Sequence, residues 1–206
     1  MFKKIINKIF SDKNHETQNE CDELFIVVQL NDKIMPIDRG SRYEDPLDEF
    51  IRKKGYGEVT GGGTMQSNNK EIQFCDIEVR INQMSISNKI LSEIIEKLEG
   101  WGAPKGSFIK SFNNDIIQFG KKEGIAVYLD GKNLPSNVYQ ECDSNYVIEE
   151  ISRLIESEDD IYRYWEGEVE TALYFYVDSY DEAHKKIQEF IKSYPLCQNA
   201  RVIQIA

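Results

Sequence analysis

The chain has 206 residues, 40% of them hydrophobic, and sets 25 basic against 36 acidic side chains for a net charge of −11. That length accommodates one large domain or two small ones, and the apolar fraction is that of a soluble globular protein, not a disordered one. The acidic surplus repels phosphate backbones and anionic lipid, so it excludes nucleic acid as an expected ligand and favours a basic protein partner; the same charge also serves solubility.

At the start, Phe2, Ile5, Ile6, Ile9 and Phe10 share one helical face while Lys3, Lys4 and Lys8 lie elsewhere. A short basic amphipathic helix of this kind packs on its own protein or touches a membrane surface. No apolar run approaches the roughly 20 residues that span a bilayer, so no stable membrane anchoring is expected. No continuous apolar signal segment opens the chain, and the expected compartment is the cytoplasm. Residues Ser11 to Asp22 are polar and complete an N-terminal segment and linker, 1–22. Cys21, Cys75, Cys142 and Cys197 form no C-x-x-C pair, and the histidines are His15 and His184 alone. That spacing argues against a zinc site and agrees with reduced thiols, and neither metal nor cofactor is expected.

The first folding unit covers 23–112. Leu24 to Leu30 reads as a strand, and Asp38-Arg39-Gly40-Ser41 reads as a break after it. Asp45 as N-cap, Pro46 at the first helical position and Gly55 past Lys53-Lys54 punctuate a helix that turns Leu47, Phe50 and Ile51 inward. Two strands, Glu58 to Gln66 and Glu71 to Ile81, flank the turn Ser67-Asn68-Asn69-Lys70. On the second strand Cys75, Ile77, Val79 and Ile81 point one way and Phe74, Asp76, Glu78 and Arg80 the other. A helix from about Ser87 to Glu99 and a strand from Ser107 to Phe112 complete the unit.

Residues 113–122 read as a hinge, and 123–206 as a second unit. Gly124 to Leu129 is a strand, and a helix follows on Val147, Ile148, Ile151, Leu154 and Ile155. Strands Ile161 to Glu168 and Thr171 to Asp178 come next. Ser179 with Glu182 makes a capping box for a helix burying Ala183, Ile187, Phe190 and Ile191, and Arg201 to Ala206 closes the unit. Both halves thus run βαββαβ, the order of the ferredoxin-like split βαβ. The expected fold is α+β: two tandem ferredoxin-like units, antiparallel sheets with helices on one face.

Candidate chemistry is sparse. The run Gly57-Glu58-Val59-Thr60-Gly61-Gly62-Gly63-Thr64 invites a phosphate cradle, but no helix follows it and no G-K-[ST] ending closes it. A bulged or kinked strand, or a close approach by another backbone, is the reading it supports, with room left for a partner's side chain as its functional variant. Asp76 with Glu78, and Glu166 with Glu168 and Glu170, alternate on strand faces and lack the cleft that general acid–base work needs. Neither histidine has an evident nucleophile beside it. The informative cluster is Glu156, Glu158, Asp159 and Asp160, followed by Tyr162, Tyr164, Trp165 and Glu166. Acids beside large aromatic rings suit a surface that steers a basic protein by charge and anchors it by buried rings, with Asp76 and Glu78 as further acids.

With Gly57 to Thr64, the segments Gly102-Ala103-Pro104-Lys105-Gly106-Ser107, Tyr128-Leu129-Asp130-Gly131 and Ser193-Tyr194-Pro195-Leu196-Cys197 give the chain a resemblance to bacterial immunity-type proteins encoded with polymorphic toxins. The resemblance implies a small, acidic, non-catalytic cytoplasmic inhibitor that covers the active site of a cognate toxin, often a nuclease; it brings no catalytic residues. The competing expectation is a small-molecule sensor or enzyme with a cleft between the two units lined by Gly61 to Gly63. Oligomeric state stays open.

Overall fold

The computed structural model describes residues 24–82, 87–111, 113 and 115–206. The N-terminal amphipathic segment and its linker, with His15 and Cys21, and the end of the strand expected to reach Phe112, lie outside the described residues.

The chain is α+β, with two antiparallel sheets. The first is built from β1 (Leu24–Leu30), β2 (Gly57–Gln66), β3 (Ile72–Ile81), β4 (Ser107–Lys110) and β5 (Ile116–Phe119), in the order β2-β3-β1-β4-β5. The second contains β6 (Glu123–Asp130), β7 (Arg163–Glu166), β8 (Glu170–Val177) and β9 (Arg201–Gln204), in the order β7-β8-β6-β9. Six helices accompany the described strands: α1 (Pro36–Arg39), α2 (Asp45–Lys54), α3 (Asn88–Gly100), α4 (Ser136–Glu141), α5 (Ser144–Leu154) and α6 (Tyr180–Ser193).

Each sheet buries one face under helices. Ile26, Val28, Ile77 and Val79 pack with Leu47 and Ile51 of α2 and Ile90, Ile94 and Leu98 of α3. Ile125, Val127, Leu173 and Phe175 pack with Val147, Ile151 and Ile187. These are the positions at which strand alternation and helical periodicity coincide, and each full burial stabilises by roughly 1.5–3 kcal/mol. The caps match their residue types: Ser87, Asp143 and Ser179 each accept from a backbone amide of their helix's first turn.

Several expectations are corrected. Residues 38–41 do not break the chain: a helical run begins at Pro36, passes through a π-helical segment at Gly40–Glu44 and enters α2 without interruption. Gly40 stays right-handed at φ −51°, and Asp45 is no N-cap, since its amide bonds back to Gly40. Pro46 has no N–H to offer Arg42, and the wider turn sits where that bond is lost in any case. The stretch read as a hinge contributes β5, which pairs with β4. The strand expected at Ile161 to Glu168 is confined to Arg163–Glu166, and α4 was not expected at all.

The two sheets meet end to face. The helix-free side of sheet 2 carries Ala126, Tyr128, Ala172 and Tyr174, with Trp165 and Ile205 packed against them. Loop tips of the first sheet cover it: Glu71 Oε1 accepts from Tyr128 at 2.7 Å and Tyr174 at 2.8 Å, and Tyr176 donates to the Asn31 carbonyl at 3.0 Å. Lys105–Glu123 and Lys122–Asp178 ion pairs lie along the junction between the sheets.

Candidate functional site

The acidic-aromatic segment starts where α5 stops. The Ser157 amide bonds the Ser152 carbonyl at 2.9 Å and the Glu156 amide bonds that of Arg153 at 3.2 Å, the paired bonds of a Schellman ending. Glu156 takes the left-handed position, φ +56°, that such an ending normally gives to glycine. From there the chain crosses the junction of the two sheets and enters β7, the edge of sheet 2.

The structure divides the eight residues of this cluster into inward and outward sets. Asp159 turns inward, accepting from Arg163 at 2.7 Å and pairing with Arg42 at 3.3 Å. Trp165 is half-buried against sheet 2 and donates its indole N–H to the Asn69 carbonyl at 3.0 Å. Glu156, Glu158, Asp160 and Glu166 are exposed. Tyr162 and Tyr164 stand out with them, 62% and 46% exposed.

Beneath the cluster lies a polar network that sequence reasoning missed. Arg163 is buried and donates to Asp32 at 2.7 Å; Tyr43 donates to the same carboxylate at 2.9 Å, and the guanidinium lies 5.2 Å over the Tyr176 ring. Burial works against the charge on Arg163, but Asp32 and Asp159 outweigh it and raise its pKa. Burial, then the Asp32 charge, pushes the Tyr43 and Tyr176 hydroxyls up. The network fixes the base of β7 to the loop after β1. One signal was visible: Arg163 is the single basic residue between Glu156 and Glu170.

Two grooves flank the segment. One, about 520 Å³, runs between α5 and β7, with Ile148 and Leu173 among its apolar lining and Tyr162, Tyr164, Glu149 and Glu166 beside them. The other, about 610 Å³, lies at the junction of the two sheets and is mostly polar, lined among others by Arg42, Trp101, Lys122, Glu158 and Asp178.

The remaining candidates lie elsewhere. Asp76 and Glu78 sit on the helix-free face of sheet 1, where burial raises the Asp76 pKa against the pull of Arg39, and Glu78 accepts from Thr60 at 3.0 Å. Gly61, Gly62, Gly63 and Thr64 form part of β2, an edge strand with a register shift between Val59 and Gly61, and line neither groove. A Cβ on Gly62 would stand 2.5 Å from Glu44 Oε1 and 2.7 Å from the Asp76 carbonyl. The glycine makes room for this chain's own Arg39–Glu44 pair, 2.5 Å apart; Arg39 also reaches the Gly63 carbonyl at 2.6 Å and Thr64 Oγ1 at 2.7 Å.

Among the described residues no group of three or more His, Cys, Asp or Glu side chains is placed to hold a metal ion, and no helix is long and apolar enough to cross a membrane. No family model matches the chain, and no curated protein matches it. Among solved structures it is similar to a protein assigned as a monooxygenase from Lactobacillus acidophilus NCFM, with 10% identity, 89% of this chain and 94% of that chain covered, and a TM-score of 0.29. It is also similar to the first two RRM domains of the yeast poly(U)-binding protein Pub1, with 13% identity, 89% and 99% coverage, and a TM-score of 0.22. At these TM-scores neither likeness bears on fold family or activity.

Proposed function

We propose that this chain is a non-catalytic binding protein, two tandem ferredoxin-like units whose acidic, aromatic edge docks a basic protein domain in the manner of an immunity-type inhibitor. The strand orders, β2-β3-β1-β4 and β7-β8-β6-β9, support the tandem reading, because each sets the first and third strands of its unit at the centre. The observation that carries the docking role is the exposure of Tyr162 and Tyr164 amid Glu156, Glu158, Asp160 and Glu166, on a base held rigid by the buried Arg163–Asp32 pair. Amphipathic rings with preorganised backing are what interface anchors require, and the surrounding acids speed encounter with a cationic partner. Acidic side chains then occupy the positions that a nuclease keeps for substrate phosphates.

The test is binding to basic toxin domains encoded beside this chain. Alanine at both Tyr162 and Tyr164 is expected to cost about 2 kcal/mol, roughly thirty-fold in affinity, mostly through faster dissociation. Affinity unchanged by the double substitution, measured by surface plasmon resonance, would remove this surface from the interface. A second reading rests on the groove between the units, since ligand sites favour such junctions; a ligand seated there would raise the melting temperature.

A further inference from the structure

We infer that the partner engages this surface as an extended, lysine- or arginine-bearing strand added to the open edge of β7, an inference that rests on the docking role proposed above. β7 is the outermost strand of sheet 2, and no strand but β8 pairs with it among the described residues. The Gly167 amide bonds the Glu170 carbonyl at 2.9 Å, one step beyond the pairing of Glu166 with Thr171. Antiparallel positions alternate between bonded and non-bonded pairs, so Arg163 and Trp165 turn their backbone groups toward β8. The N–H and C=O of Tyr164 and Glu166 point the other way, out of the sheet.

Side chains and charge specify what fits there. Tyr164 and Glu166 share the sheet side on which α5 lies, and the 520 Å³ groove runs along it. A strand laid against β7 sets every second side chain beside that groove, among Tyr162, Tyr164, Glu149 and Glu166. Glu158 and Asp160, both exposed, precede the edge. These acids oppose a second copy of this chain, which would bring like charges face to face, and they favour a cationic strand. One charge pattern therefore guards the edge against self-pairing and selects its occupant.

The probe is the peptide acetyl-Lys-Val-Lys-Val-Lys-Val-Lys-amide, added to the full chain at low salt while amide hydrogen exchange is followed by NMR. Exchange at Tyr164 and Glu166 is expected to slow at least ten-fold, while Arg163 and Trp165, already bonded to β8, change little. Methylating alternate backbone nitrogens of the peptide removes donors and keeps the charge, and should weaken binding at least ten-fold. On the protein side, Glu166→Pro deletes one outward amide at an edge position where proline is tolerated, and should weaken binding more than Glu166→Gln. Equal binding of the methylated peptide, with Tyr162 and Tyr164 still perturbed, overturns strand addition and leaves the docking role standing. No binding at millimolar peptide overturns strand addition too, and if a basic toxin domain also binds undiminished after alanine at both tyrosines, the docking role falls with it. Concentration-dependent protection of Tyr164 without peptide assigns the edge to a second copy and likewise overturns the inference.

Discussion

Asp32 is fully buried, and it answers one guanidinium and one phenol from two different parts of the chain. Replacing it with Asn leaves Arg163 in a low-dielectric site with Asp159 as its remaining counter-charge. Losing one partner of a buried pair is strongly destabilising, and the expected cost of Asp32→Asn is about 3 kcal/mol, read from urea denaturation. Glu156 makes the opposite prediction. A non-glycine residue in the left-handed region costs roughly 1 kcal/mol, so Glu156→Gly should raise stability by about that amount while removing a surface acid. A less stable protein would show that the Glu156–Lys186 pair, 3.4 Å apart, outweighs the backbone strain. Little of this was legible beforehand. The exposed tyrosines and acids were readable from composition, but Asp32 sits in a polar Asn-Asp-Lys stretch that reads as an ordinary turn, and its partner lies 131 residues away.

Elements with whole periods were readable, as were the short strands β4, β7 and β9, but α4 and β5 were not. Strand alternation in β3 and β8 and the helical stripes of α3, α5 and α6 carry enough residues for periodicity to speak. α4, at six residues, spans less than two turns, and β5, at four, opens on two apolar residues in succession, so tertiary packing decides them. The break expected at Gly40 failed for a different reason. Glycine permits a left-handed exit without compelling one, and Pro36 had already set the helical φ upstream. The π-helical turn then brings Arg39 and Glu44, five apart and on different faces of a regular helix, into one ion pair. That pair accounts for the glycine at position 62. Gly62→Val should destabilise by about 1–3 kcal/mol, because its side chain collides with Glu44 and with the backbone of Asp76, whereas Gly63→Val, with nothing within 4 Å, should be tolerated. Paired urea midpoints decide the matter; equal values would show that β2 shifts freely away from α2.

At the scale of the molecule, the junction between the sheets is a hydrogen-bonded contact of tyrosine hydroxyls with the loop tips of the first sheet. Burial, and then the bond to Glu71, moves the Tyr128 pKa from 10.0 up to about 12, and the same causes raise that of Tyr174 further. The native state therefore holds these protons more tightly than the unfolded chain does. Their contribution is complete below pH 10 and is lost as the pH rises through the folded values. The urea midpoint should fall between pH 10 and about 12, with a shallower fall for Tyr128→Phe, and identical slopes would detach Tyr128 from the junction. Two sheets with helices could be read from the order of elements, but their end-to-face arrangement could not, because hydrogen bonds between residues 57 to 145 positions apart determine it.

That separation has a meaning for the newborn chain. Asp32 leaves the ribosome 131 residues ahead of the arginine that neutralises it, an interval of roughly 7–26 s at about 5–20 residues per second. Throughout that wait the first sheet carries a carboxylate whose counter-ion has not been translated, so the loop after β1 reaches its final burial only once Arg163 has been made.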